Sequence, residues 1–244
     1  MSQTYRAAGV DLAGADAHVD RIASLVTATW GDRVQGGFGG FAAGVELPDG
    51  YRHPVLMLTT DGVGTKLDLA RQTGRWAGVG HDLVAMCVDD LVVSGARPLA
   101  MVDYMAVGSL QPERDTAVVA SVAAACRLAG CALVGGETAE HPGVMETSSI
   151  DLAGAALGVV ERDARLGPHL VEPDDVILGL HSPNLRSNGF SLVRKVFEGS
   201  DLEAPLPGDS ETLAEVLLQP SVIYSPAVLE AIGAGGVHAG AHVT

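Results

Sequence analysis

Twice in this chain a short apolar run gives way to glycines beside a carboxylate, and that pattern constrains the fold more than any other feature. Val55-Leu56-Met57-Leu58, set between Pro54 and Thr59-Thr60-Asp61-Gly62, has the length of a strand buried on both faces. Ala132-Leu133-Val134 reads as a second such strand and is followed at once by Gly135-Gly136-Glu137-Thr138. In sheets covered by helices, ligand crevices lie beyond the carboxyl ends of strands, so both endings are candidate site segments. Around them, Trp76–Ser94 has helical spacing of Leu83, Val84, Cys87, Leu91 and Val92 with Gly95 as a stop. Leu99–Val107 and Leu152–Val160 read as strands, and Pro112–Leu128 as an Ala/Val-rich helix ended by Gly130. The expected class is α/β of the α+β type: an N-terminal mixed sheet with helices.

Arg162 to Asp175 interrupts the apolar runs with charged residues and prolines, which places a boundary there. The expected units are residues 1–165 and 166–244. Past the boundary, Val176–Leu180 reads as a strand, Gly189–Phe197 as a helix, and Glu211–Leu217 and Ser225–Ile232 as helical stretches. Val237–Thr244 heads toward a strand with no successor, so the second α/β unit is expected to be incomplete.

Charge narrows the partners. The formal net charge is -15, and a surface that negative offers no field to replace the counterions of nucleic acid or anionic lipid. Binding a phosphorylated metabolite then requires local tools: backbone N–H groups, a placed Lys, or Mg²⁺. Cys87, Cys126 and Cys131 lie in apolar surroundings and form no CxxC pair, as small buried thiols of a reducing compartment do. Met1–Asp11 lacks an apolar leader core, and no stretch has the length of a membrane span, so a cytoplasmic location is expected.

Five segments carry the chemistry. Gly36-Gly37-Phe38-Gly39-Gly40-Phe41 is either a flexible loop or a phosphate cradle, since glycines let N–H groups converge on an anion. Thr60-Asp61-Gly62-Val63-Gly64-Thr65-Lys66 combines a carboxylate suited to Mg²⁺ with two glycines and a Lys that can neutralise phosphate. Asp89 and Asp90 stand amid apolar helix neighbours, so either one of them faces a metal or a cation, or both lie on a polar stripe. Gly135–Gly143 adds Glu137, while its His141 reads as structural or exposed rather than catalytic. Ser187 or Asn188 can cap the helix that follows Gly189, whose N-terminus suits an anion. Together these describe how an acidic enzyme binds Mg-nucleotide.

Read in order, the segments resemble the aminoimidazole ribonucleotide synthetase (phosphoribosylformylglycinamidine cyclo-ligase) family. The points of match are Tyr5–Asp11, GGFGGF at 36–41, TDGVGTKLDLA at 60–70 and GHDLVAMCVDDLVVSGARPL at 80–99. They continue with GCALVGGETAEHPG at 130–143, DLAGAALGVVE at 151–161, SNGFSLVRKV at 187–196 and HAGAHVT at 238–244. The resemblance implies an N-terminal domain whose strands pair across a homodimer, and a second domain that packs on it. It implies conversion of formylglycinamidine ribonucleotide and ATP to aminoimidazole ribonucleotide, ADP and phosphate, with ATP and Mg²⁺ as cofactors. By analogy, Asp61, Lys66 and Asp90 would be catalytic, and Asp61, Asp90 and Glu137 would hold metal. Gly36, Gly37, Gly39, Gly40, Gly62, Gly64, Thr65 and Lys66 would bind ATP phosphates. Glu137, Thr138, Ser187, Asn188 and Gly189 would contact the ribonucleotide. The family usually has Asn at position 89, Met at 141, His at 186 and Tyr at 190, and it continues beyond Thr244 with a glycine triplet. Alternatives are another ATP-using member of the wider superfamily, or a non-catalytic nucleotide-binding subunit.

Overall fold

A computed structural model describes residues 8–243; the Tyr5–Ala7 part of the first match and Thr244 lie outside the described residues. Apolar periodicity is translated into layers in the first two thirds of the chain. Helix α1 (Leu12–Thr27) precedes a small hairpin, β1 (Val34–Gln35) and β2 (Gly44–Val45), whose connection is the glycine loop. Then come β3 (Pro54–Gly62), α2 (Lys66–Thr73), α3 (Val79–Val92), β4 (Arg97–Val107), α4 (Pro112–Ala129), β5 (Ala132–Glu140) and β6 (Ile150–Glu161). The four long strands form one sheet in the order β3-β6-β4-β5. β6 runs antiparallel to both neighbours, and β4 and β5 are parallel, so β3, β4 and β5 end on the same edge.

Alternation along the strands decides which residues meet the helices. Met101, Met105, Leu152, Ala156 and Val160 point to one face and are buried against Leu83, Cys87 and Leu91 of α3 and Val118, Val122 and Cys126 of α4. All three cysteines are free and buried in this core. The helices are close because position 80 has no side chain: a Cβ there would stand 2.1 Å from the Val122 backbone nitrogen. Gly80→Ala is therefore expected to destabilise the fold by about 2–3 kcal/mol through forced separation of α3 and α4, read as a lowered urea midpoint at unchanged slope.

Among the described residues, the opposite sheet face has no such cover. Leu56, Leu58, Val102 and Tyr104 are exposed there, Leu58 at 77%. The expectation that Val55–Leu58 is buried on both faces is corrected accordingly: one face meets α3, the other does not.

Two further expectations are corrected. Gly135–Thr138 is not a loop past a strand but the interior of β5, because it pairs residue by residue with β4 (Gly136 with Asp103, Glu137 with Tyr104). Val176–Leu180 is not a strand: Val176, Ile177 and Leu178 are 81%, 99% and 86% exposed, and no neighbouring strand offers them a ladder. The second part of the chain instead supplies α5 (Phe190–Val196), α6 (Leu213–Leu217) and α7 (Ser225–Ala234). Among the described residues, no strand of the four-stranded sheet comes from beyond Glu161. Leu213, Leu217 and Leu218 join the main core, so α6 is seated on the first part.

Candidate functional site

β3 delivers Asp61 to its carboxyl end, where Gly62 N–H donates to Asp61 Oδ1 (2.7 Å) and Val63 N–H donates to Leu152 O (3.0 Å). The chain then turns through Gly64, at φ 68°, into α2. From the second part, Ser187 donates to Val63 O (2.8 Å), which brings Asn188 and Gly189, at φ 81°, against the same turn. The Thr65 and Ser191 hydroxyls lie 3.1 Å apart. These segments enclose a pocket of ≈ 410 Å³ lined by Asp61, Gly62, Gly64, Thr65, Asp151, Ser187, Asn188, Gly189 and Ser191. Both α2 and α5 begin on its wall, and helix N-termini present partial positive charge and free N–H groups to an anion.

Lys66, expected as a phosphate ligand, is not among the residues of this wall. It opens α2, yet its side chain turns inward and is fully buried. Its ammonium meets Asp82 Oδ2 at 2.8 Å and donates to Gln219 O (3.0 Å), with the Phe190 ring centroid 5.2 Å away. Burial lowers its pKa from the ordinary value, and the Asp82 charge opposes that shift. Asp82 also accepts from Ser221 N–H (3.0 Å) and Ser221 Oγ (2.6 Å), so the pair ties α2 and α3 to the second part of the chain.

Asp89 and Asp90 separate in role. Asp89 is buried and takes the cationic partner: Arg186 Nη2 at 2.8 Å, with Tyr224 and Ser225 N–H groups each at 3.0 Å. Burial raises its carboxyl pKa while Arg186 opposes the rise. The two residues that depart from the resembled pattern at 89 and 186 thus meet as one ion pair. Asp90 lies outside the pocket, its carboxylate 2.9 Å from His242 Nδ1.

Glu137 and Thr138 fall on opposite sheet faces. Glu137 sits opposite Tyr104 on the uncovered face, and Thr138 Oγ1 is 3.4 Å from His18 Nε2 on the helix side. Asp61 is paired with Gly154, on the helix side, so the Asp61 and Glu137 side chains point to opposite faces of the sheet. Among the described residues no group of three or more His, Cys, Asp or Glu side chains is placed to hold a metal ion. The glycines of the 36–40 loop lie outside the pocket, and Gly36, Gly37 and Gly39 have open space around them.

Two acids escaped the sequence reading. Asp151 heads β6 and reaches the pocket because β6 is antiparallel to β3, a register that no local pattern reveals. Asp103, in mid-strand, lies in one row with Asp61, Gly154 and Gly136. A Cβ on Gly136 would stand 2.2 Å from Asp103 Oδ1, so that glycine makes room for a neighbouring carboxyl rather than for a ligand. Burial pushes the Asp103 carboxyl up to about 7.

The arrangement has known relatives. Residues 42–160 match the family model described as AIR synthase related protein, N-terminal domain, and residues 172–244 match the corresponding C-terminal domain. A phosphoribosylformylglycinamidine cyclo-ligase of Bordetella petrii is 48% identical over 243 residues, 99% of this chain and 70% of that protein. One of the same name from Thermosynechococcus vestitus is 49% identical over 98% of this chain and 71% of its own length. Among solved structures, thiamine-monophosphate kinase from Stenotrophomonas maltophilia shares the fold at TM-score 0.53 and 21% identity, over 87% of this chain and 64% of that one. With both domain models matched in order and close to half of its residues shared with proteins of one name, the chain belongs to the AIR synthase related family.

Proposed function

We propose that this chain is an ATP-dependent cyclo-ligase of purine biosynthesis, which closes formylglycinamidine ribonucleotide into aminoimidazole ribonucleotide with release of ADP and phosphate. The observation that carries the reading is the meeting of Asp61–Thr65 with Ser187–Ser191 on one pocket, in a chain 45–49% identical to cyclo-ligases. In this reaction the terminal phosphoryl of ATP passes to the formyl oxygen, making a leaving group of it. An amidine nitrogen then attacks that carbon, loses a proton, and phosphate departs with the former formyl oxygen.

The residues divide this work by their geometry. N–H groups at the starts of α2 and α5 hold phosphate oxygens without adding a formal charge. The Thr65 and Ser191 hydroxyls, already paired, can each turn to donate to a ligand. Ser187 is spent on Val63 O and therefore positions the loop, leaving Asn188 to contact the ribonucleotide. The glycine loop at 36–40 closes over the phosphates in this account. Asp61, which lines the pocket, would supply the carboxylate for a magnesium ion of the kind that takes one or two protein carboxylates and completes its shell with phosphate and water. Such an ion neutralises charge on the phosphates when bound. Asp90 and Glu137 are left out of that ligand set because other contacts and the other sheet face hold them. Calorimetric titration tests the assignment: formylglycinamidine ribonucleotide should bind and thiamine monophosphate should not, with Asn188→Ala weakening the former about tenfold. Equal binding of both ligands contradicts it.

The uncovered face of the sheet is assigned to a second copy of the chain, which makes the enzyme a homodimer in the cytoplasm. Leu56, Leu58, Val102 and Tyr104 form an apolar patch of a kind that single soluble chains seldom expose. Leu58→Lys places a charge in its middle and is expected to give a folded monomer where the unaltered chain is a dimer at micromolar concentration. Light scattering that finds the unaltered chain monomeric contradicts the assignment.

A further inference from the structure

At the edge of the sheet opposite Asp61 lies a larger cavity, of ≈ 580 Å³. It is bounded by the amino ends of β4 and β5, the last turn of α4, and the feet of the β1–β2 hairpin at Val34 and Val45. Asp61 stands level with Asp103 of β4, so roughly 20 Å of extended chain separates Arg97 at the cavity from that row.

Its lining carries three guanidiniums, Arg33, Arg97 and Arg127, and three carboxylates, Asp32, Glu46 and Asp49. None of the six is in an ion pair among the described residues. Elsewhere among the described residues Lys66, Arg71, Arg75, Arg114, Arg186, Arg194 and Lys195 each meet a carboxylate, whereas Arg21, Arg52, Arg162 and Arg165 do not. Here side chains of both signs line one void without pairing. A helix C-terminus favours a cation, which accounts for Arg127 at the end of α4. It does not account for Arg33 before β1 or Arg97 at the start of β4, which come to the same cavity from different elements.

We propose that this cavity binds a small phosphomonoester, a nucleoside or sugar monophosphate, at a site separate from the pocket at Asp61. Guanidinium forks match phosphate oxygens in pairs, and converging arginines from three elements hold a dianion more tightly than any one of them. The carboxylates accept hydrogen bonds from the hydroxyl or amino groups of the same ligand. The volume is within the range of small-molecule pockets.

The test is calorimetric titration of the full chain at low ionic strength with adenosine 5′-monophosphate, ribose 5-phosphate and inorganic phosphate. The lining arginines are exposed, so Arg97→Gln and Arg127→Gln should fold normally, which circular dichroism checks. Each should weaken binding of the two phosphomonoesters at least about tenfold, whereas Asn188→Ala, in the other pocket, should leave that event unchanged. Raising salt to ~0.5 M should also weaken it. Phosphomonoester binding that survives Arg97→Gln and Arg127→Gln together, or no binding at all, overturns the proposal. So does inorganic phosphate binding as tightly as both esters, because the carboxylates would then recognise nothing. Because Asn188→Ala separates the two pockets, failure here leaves the cyclo-ligase reading untouched, and the reverse also holds.

Discussion

Asp61→Asn is expected to slow turnover at least ~100-fold while leaving the fold intact, since a placed carboxylate at a metal–phosphate site controls several kcal/mol of barrier. The substitution preserves shape, and the Asn side-chain oxygen can still accept from Gly62 N–H as Asp61 Oδ1 does at 2.7 Å. What disappears is one negative charge at the pocket that Asp61 lines. The loss should appear in kcat with thermal stability unchanged, which separates a chemical role from a structural one. A steady-state rate within twofold of the unaltered chain removes Asp61 from the reaction.

Lys66→Met should act in the opposite way, on stability rather than on ATP. Removing one member of a fully buried ion pair leaves Asp82 charged and desolvated, at a cost of about 3–5 kcal/mol. For a chain of this size that corresponds to a fall in Tm of about 10 °C. Replacing both partners, as in Lys66→Met with Asp82→Leu, should recover part of the loss because no unpaired charge remains, although Ser221 would still lack its acceptor. ATP affinity per folded molecule should hold in calorimetry. Unchanged Tm together with lost ATP binding means that Lys66 reaches phosphate after all, and that the buried pair is not its working arrangement.

The sequence discloses the parts of this fold that local pattern controls. Leu99–Val107, Pro112–Leu128 and Leu152–Val160 correspond to β4, α4 and β6 with ends shifted by a few residues, because apolar runs bounded by glycine or proline have few alternatives. Non-local pairing is where it falls silent. Gly135–Thr138 looks like a loop until β4 lies beside it, and Val176–Leu180 looks like a strand although nothing pairs with it. The same limit governs the site. That Asp61, Gly62, Gly64 and Thr65 share a pocket with Ser187–Gly189 is foreshadowed by the glycine-and-acid grouping of the first segment and the capping residues and helix start of the second. Asp151 belongs to them only through the antiparallel register of β6. The inward turn of Lys66 depends on Asp82 of α3 and on Ser221 and Gln219 far along the chain, which no reading of residues 60–66 can supply. Asp89 illustrates the converse. Its apolar neighbours require a partner, and only the fold names it as Arg186.

The central claim is that ATP cleavage here is coupled to ring closure. Its most direct test is to incubate the protein with ATP, Mg²⁺ and formylglycinamidine ribonucleotide and to measure ADP and aminoimidazole ribonucleotide in the same samples. The account predicts the two products in equal amounts over time, with ADP release falling to background when the ribonucleotide is omitted or replaced by thiamine monophosphate. ADP formed at the same rate without the ribonucleotide, or formed with it but with no aminoimidazole ribonucleotide, contradicts the account.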